Sequence, residues 1–305
     1  MKVVLFCGGF GMRMREYSEA IPKPMVRIGN RPILWHIMKF YAHYGHKDFI
    51  LCLGWKANAF KQYFLQYDEC ISNDFVLSSG GDNLQLLNRD IDDWKITFVD
   101  TGIHSNIGQR LKAVKPHLEG EEMFLANYTD GLSDVDLPGM IDTFEKSGTV
   151  GSFLAVNPSQ SFHSVKLMPN GKVANIEPIS DSGLLMNGGF FAFRQEIFDY
   201  IEPGDELVEE PFNRLISEEK LHAYEHKGFW SCMDTFKEKQ DLDDLYASGM
   251  PPWAVWDKEN RTLDPVVMDR NKITRLRQAR HEDLETIGAP ENLPYPGGNY
   301  DIAGT

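Results

Sequence analysis

Cationic side chains are scarce in this sequence. Thirty-one Lys and Arg residues stand against 45 Asp and Glu, leaving a net charge of −14 over 305 residues. A protein that binds nucleic acid through its phosphates needs a basic face, so this balance argues against such a partner. A small anionic substrate stays open, provided the site itself is basic. Cysteine is equally sparse: Cys7, Cys52, Cys70 and Cys232, none in a CxxC pair, which argues against a zinc centre. Cys7 and Cys52 sit in apolar, strand-like runs and read as buried thiols rather than disulfide partners, so a reducing cytoplasm is the expected compartment. No apolar run approaches the ~20 residues of a membrane span. The first strand-like run begins at Val3, so no leader and no membrane partner are expected. Internal repeats and low-complexity tracts are missing too.

What is present is a regular alternation of short apolar runs and helix-period stretches. Val3–Cys7, Asp48–Leu53, Lys95–Thr101, Met123–Tyr128 and Gly151–Val156 read as strands. Pro32–Tyr44, Ala57–Tyr67, Gly108–Lys115 and Leu137–Lys146 read as the helices between them. This order predicts an α/β fold: a Rossmann-like mixed, mostly parallel sheet flanked by helices. Val165–Met168, Lys172–Ile176 and Gly188–Phe193 are expected to form a small antiparallel β insert. Glu206–Glu219 and Lys237–Ser248 read as helices, with Phe229–Thr235 a loop between them. Pro251-Pro252 closes the compact region. Residues 1–257 are expected to form one domain and residues 258–305 a C-terminal extension, with a charged helix at Thr274–Ile287 and a Pro-, Gly- and Asn-rich end.

In such sheets ligands sit beyond the carboxyl ends of the strands. Directly after the first strand stands Gly8-Gly9-Phe10-Gly11-Met12-Arg13, followed by Pro22-Lys23-Pro24-Met25. Glycines permit a tight turn and let backbone N–H groups approach phosphates closely, while Arg13 and Lys23 suit a polyphosphate. A Walker-type P-loop is excluded because no Gly-Lys-Ser/Thr closes the loop. A dinucleotide fingerprint is disfavoured because Met14 stands at the third glycine position and no acid ends the second strand. A nucleotidyltransferase loop, Gly-Gly-x-Gly-x-Arg with a Lys in a Pro-Lys-Pro setting, fits. Asp130 follows a central strand in Tyr128-Thr129-Asp130-Gly131, where a hard oxygen ligand for Mg²⁺ would be well placed. Asp234, in Cys232-Met233-Asp234-Thr235, reads on its own as a helix N-cap.

Together these residues resemble the glucose-1-phosphate cytidylyltransferases, a branch of the sugar-nucleotide pyrophosphorylase-like nucleotidyltransferases with a GT-A-like fold. The shared runs are Pro22–Val26, Arg31–Lys39, Lys47–Ile50, Val99–Gly102, Asn187–Phe191 and Met233–Thr235, and the similarity covers residues 1 to about 257. The resemblance implies a Mg²⁺-dependent enzyme that transfers CMP from CTP to a sugar 1-phosphate, giving a CDP-sugar and pyrophosphate, and it implies a homo-oligomer. It implies that Gly8, Gly9, Gly11, Met12, Arg13, Lys23, Arg110 and Asp130 bind the nucleotide. Arg13, Lys23 and Asp130 would be catalytic, and Asp130 and Asp234 would hold the metal. Glu177, Asn187 and Glu210 would face the acceptor. Two positions depart from the family pattern. Met12 replaces a threonine hydroxyl, and Ile176-Glu177-Pro178 stands where the family has Glu-Lys-Pro, whose lysine holds the sugar phosphate. A carboxylate facing a phosphate is repulsive, so another cation substitutes (Lys166 and Lys172 are near in sequence) or the acceptor is a different phosphorylated or phosphonylated molecule. A nucleotide-binding regulatory protein without turnover is the reading from another class. Retention of both aspartates, Arg13 and Lys23 counts against it.

Overall fold

The computed structural model describes residues 1–9, 21–158, 162–258 and 266–269. The chain divides into two compact units. The first comprises Met1–Leu65 and Asp90–Thr262, and the second comprises Gln66–Arg89 and Leu263–Thr305.

Seven strands form the central sheet of the first unit: β1 (Val3–Phe6), β2 (Asp48–Leu53), β3 (Lys95–Asp100), β4 (Met123–Tyr128), β5 (Gly151–Val156), β6 (Met186–Arg194) and β7 (Leu221–His226). Their spatial order is β7-β5-β6-β4-β1-β2-β3. β1 runs parallel to both β2 and β4, β2 to β3, and β5 to β7. Only β6 runs against its neighbours β5 and β4. β1 is buried throughout, as a strand covered on both faces must be.

Helices cover both faces. On one, Val4, Phe6, Ile50, Cys52, Phe124, Ala126, Phe191 and Phe193 pack with residues of α3 (Ile107–Val114) and α5 (Glu210–Ser217). On the other lies α1 (Ile33–His43), with nine of its eleven residues buried. Neighbouring residues of β6 serve the two faces: Phe191 belongs to the first cluster, while Phe190 meets Phe40 and Tyr41 of α1. The first unit also holds α2 (Ala57–Leu65), α4 (Leu137–Ser147) and α6 (Phe236–Ala247).

Three sequence expectations are corrected. Gly188–Phe193 belongs to the central sheet as part of β6, because its alternating large side chains can be buried on both faces. The antiparallel insert is the hairpin His163–Leu167 with Val173–Pro178. The stretch Phe229–Thr235 is not all loop: Trp230–Cys232 pairs with Gly131–Ser133. The helix expected at Glu206–Glu219 spans only Glu210–Ser217, since Glu206 turns its own N–H to the Glu210 carboxylate (2.9 Å). The strand β7 had no sequence expectation.

In the second unit, Phe75–Ser78 and Asn83–Leu86 form a hairpin, joined on the Asn83–Leu86 side by Val266–Asp269. Cys70, Leu84 and Leu86 make its small core. The expected helix at Thr274–Ile287 lies outside the described residues.

Candidate active site

Three charged side chains meet beyond the carboxyl ends of β1 and β4. Lys23 Nζ lies 2.7 Å from Asp130 Oδ2 and 2.5 Å from Asp234 Oδ1. Each is set by local geometry. Lys23 opens a single 3₁₀ turn, Lys23–Met25, entered through an extended Pro22 and anchored by buried Pro24 and Met25. Proline at the second position fits, because the first turn of a helix leaves its N–H groups unpaired. Asp130 sits between β4 and Gly131–Ser133. Next to it, the Thr129 hydroxyl donates to the Phe6 carbonyl (2.7 Å), and the Asp130 carbonyl accepts from Met233 N–H (2.8 Å). Pairing of Gly131 with Cys232 then places Asp234 beside Asp130.

The expected capping role of Asp234 falls to its neighbour. Thr235 is the N-cap of α6: its hydroxyl accepts from Glu238 N–H, and the Glu238 carboxylate accepts from the N–H groups of Asp234 and Thr235 (both 2.8 Å). This reciprocal box leaves the Asp234 carboxylate turned to Lys23. The spacing Thr235-x-x-Glu238 was readable in the sequence and would have settled the point.

The cluster is half-buried, with side-chain exposures of 13% for Lys23, 35% for Asp130 and 29% for Asp234. Burial alone would lower the Lys23 ammonium. The charge and hydrogen bond of Asp130, and then those of Asp234, outweigh it and hold Lys23 protonated above the ordinary lysine range. Cys232 adds a thiol 4.0 Å from Asp234 Oδ2; burial, with Glu238 and Asp234 nearby, pushes that thiol up to about 12, so it stays neutral.

Gly8 follows β1 after Cys7, and behind it lies Arg110 of α3, 2% exposed. Its guanidinium donates to the carbonyls of Gly8 (2.8 Å) and Leu53 (3.1 Å) and to the Thr101 hydroxyl (2.7 Å). It thus ties together the ends of β1, β2 and β3. A Cβ on Gly8 would stand 2.0 Å from Arg110 Nη1. Arg110, expected at the nucleotide, thus stands directly behind the glycine loop. Both of its terminal nitrogens donate to the protein's own oxygens, and it holds Gly8 from behind. The need for glycine at position 8 has the same source. Gly9, by contrast, is exposed, with open space where a Cβ would stand. Gly11, Met12 and Arg13 lie outside the described residues.

The expected acceptor residues do not all converge. Asn187, at the start of β6, accepts from Gly189 N–H (2.9 Å) and pairs with the Tyr128 hydroxyl. The Tyr128 phenol is pushed up, first by burial and then by the charges of Glu206 and Asp130. Glu206, which the sequence reading passed over, is the leading charge acting on Tyr128 after burial. Burial raises its carboxyl despite hydrogen bonds from Ile107 and Leu207 N–H. Glu210 serves Glu206 N–H. Glu177 lies on the separate hairpin opposite Ser164. Among the described residues no hydrogen bond or ion pair links it to Asn187 or to the Lys23 cluster.

Among the described residues no group of three or more His, Cys, Asp or Glu side chains is placed to hold a metal ion. Asp130 and Asp234 nevertheless both reach one cationic centre, the Lys23 ammonium. Two carboxylates completed by substrate phosphates are a donor set that suits Mg²⁺.

A family model described as nucleotidyl transferase matches residues 2–237. The glucose-1-phosphate cytidylyltransferases of Salmonella typhi and Salmonella typhimurium are each 36% identical over 258 residues, covering 84% of this chain and 100% of the relative. UTP-bound UGPase from Acinetobacter baumannii superimposes with a TM-score of 0.59 at 17% identity, over 85% of this chain and 97% of that one. At that identity the likeness establishes the fold. Taken with the loop, the lysine turn and the paired aspartates, these similarities show that the chain is a nucleotidyltransferase and belongs to the nucleotidyl transferase family, beside the glucose-1-phosphate cytidylyltransferases.

Proposed function

We propose that this enzyme transfers CMP from CTP to a sugar 1-phosphate, with Mg²⁺, giving a CDP-sugar and pyrophosphate. The observation that carries the reading is the convergence of Lys23, Asp130 and Asp234 at the strand ends, in a chain 36% identical to glucose-1-phosphate cytidylyltransferases along their whole length. Gly8, Gly9 and Gly11 present backbone N–H groups to the triphosphate, with Arg13 and Lys23 as its cations. Arg110 fixes the loop beneath it. A phosphate oxygen of the acceptor attacks the α-phosphorus in line, forming one P–O bond as the bond to pyrophosphate breaks. No covalent protein intermediate is required. The protein's contribution is alignment and neutralisation of the charge that grows on the leaving group. Asp130 and Asp234 would hold Mg²⁺, which when bound supplies Lewis-acid polarisation of phosphate oxygens. Tyr128, Asn187 and Glu206 supply the wall on the acceptor side.

Glu177 favours a second reading of the acceptor alone: a different phosphorylated or phosphonylated small molecule. A homo-oligomer belongs to the same proposal. The hairpin pairs exposed Val165 with exposed Ile176, and Leu167 with Val173, an apolar surface suited to a second copy of this chain. No helix among the described residues is long and apolar enough to cross a membrane, and all four cysteines are free thiols, which fits a reducing cytoplasm.

The test is pyrophosphate release from CTP and Mg²⁺ with a panel of acceptors. Glucose 1-phosphate or a close relative is expected to support turnover, and Asp130→Ala is expected to abolish it with an unchanged circular dichroism spectrum. Turnover by Asp130→Ala near the wild-type rate would remove Asp130 from the mechanism, and silence with every acceptor would remove the enzyme reading.

A further inference from the structure

In the proposed reaction Lys23 binds the triphosphate, yet in the chain itself its ammonium already holds two carboxylates. It makes short charge-assisted hydrogen bonds to one oxygen of each aspartate, 2.7 Å to Asp130 Oδ2 and 2.5 Å to Asp234 Oδ1, and only 13% of its side chain is exposed. The two acids flank the same end of a paired strand segment, one on each strand, and are held there by backbone contacts that do not involve the lysine: Met233 N–H to the Asp130 carbonyl, and Asp234 N–H to Glu238. The carboxylate pair is thus preformed, and Lys23 is the movable member, on a flexible four-carbon stem. A cation between these two oxygens and a divalent ion on the same oxygens exclude each other, because two positive charges at ~3–4 Å repel strongly in a half-buried site.

Resting on the proposal that Asp130 and Asp234 hold the metal, we infer that Lys23 is a placeholder for the metal and couples its entry to that of the nucleotide. Without nucleotide, the ammonium neutralises the acid pair and blocks divalent cations. An arriving triphosphate offers Lys23 stronger acceptors than two carboxylates. The lysine shifts onto the phosphates, and the same event withdraws its charge from both acids. The metal therefore binds with the nucleotide and not before it. Lys23 is then a substrate ligand and a gate at one position.

The test measures metal binding rather than turnover. Mn²⁺ serves as the probe, titrated by electron paramagnetic resonance into the full chain without nucleotide. Lys23→Met, which keeps the apolar stem, is expected to bind Mn²⁺ at least 10-fold more tightly than wild type, and the gap is expected to close or reverse once CTP is added. Equal or weaker binding by Lys23→Met without nucleotide overturns the placeholder role while leaving the metal site standing. Failure of wild type to retain Mn²⁺ even with CTP overturns both. A second measurement needs no variant. In wild type carrying ¹⁵N-lysine, the Lys23 Nζ resonance is expected to be unmoved by Mg²⁺ alone and displaced by CTP in EDTA. Displacement by Mg²⁺ alone overturns the inference.

Discussion

At the scale of single residues, the protein spends its scarce cations on tightly specified partners. Arg110 is the clearest case, since one buried guanidinium joins three strand ends and leaves no room for a side chain at position 8. Gly8→Ala forces a methyl group into that guanidinium, and overpacking of this kind costs about 1–3 kcal/mol. The expected outcome is a lower denaturant midpoint together with weaker CTP binding by calorimetry. An unchanged midpoint would show that Arg110 can withdraw without loss. His36 gives a pH dependence. It is 2% exposed, with Nε2 on the Ile28 carbonyl (3.1 Å) and Nδ1 accepting from the Trp253 indole (3.4 Å). Burial, helped by Arg31, lowers it from 6.5 to about 4, against the pull of the Ile28 carbonyl. The unfolded chain therefore binds a proton that the folded chain refuses between those two values, so stability falls as pH falls through that window, by up to about 3 kcal/mol. Acid unfolding monitored from pH 7 to pH 4 should show the slope, and His36→Asn should flatten it. An identical slope in the variant would assign the effect to other groups.

At the scale of elements, the first half of the sheet is legible in the sequence and the rest much less so, for physical reasons. β2, β4 and β5 match the sequence reading residue for residue, because parallel strands buried on both faces are continuous apolar runs. β7, Leu-His-Ala-Tyr-Glu-His, was passed over because its polar residues hide the run in an edge strand with only one neighbour. Trp230–Cys232 is too short to announce itself, yet its pairing with Gly131–Ser133 is what joins Asp130 to Asp234. The two acids were recognisable as separate motifs; their meeting depended on a three-residue ladder between segments a hundred residues apart. The contacts of Arg110 were hidden for a related reason. A helical arginine beside a glycine loop reads as a phosphate ligand until the carbonyls behind it are seen. The capping box of α6 yields a prediction at this scale. Thr235→Ala removes the hydroxyl that accepts from Glu238 N–H, a loss of about 1 kcal/mol. Because Glu238 also holds Asp234 N–H, turnover is expected to fall more than the thermal midpoint alone would explain. Turnover that falls no further than the midpoint would separate the cap from the site.

At the scale of the whole molecule, the excess of negative charge and the exposed apolar hairpin pull in opposite directions. Net charge of this size keeps copies apart in solution. The paired Val165, Leu167, Val173 and Ile176, each more than half exposed, favour association at one place. The double variant Val165→Ser and Ile176→Ser is expected to lower the molar mass measured by light scattering while turnover with CTP persists. An unchanged mass would remove the hairpin from the interface.

The strand order also bears on how the chain comes off the ribosome. β1 is made first and lies between β2 and β4, so the middle of the sheet waits for residues synthesised more than a hundred positions later. Lys23 is separated by 107 positions from Asp130 and by 211 from Asp234. Contacts of such long separation form slowly, since much chain entropy is surrendered before they return anything. A nascent polypeptide halted anywhere before Asp234 therefore carries its lysine beside at most one acid. The acid pair assembles only as translation of the first unit nears its end.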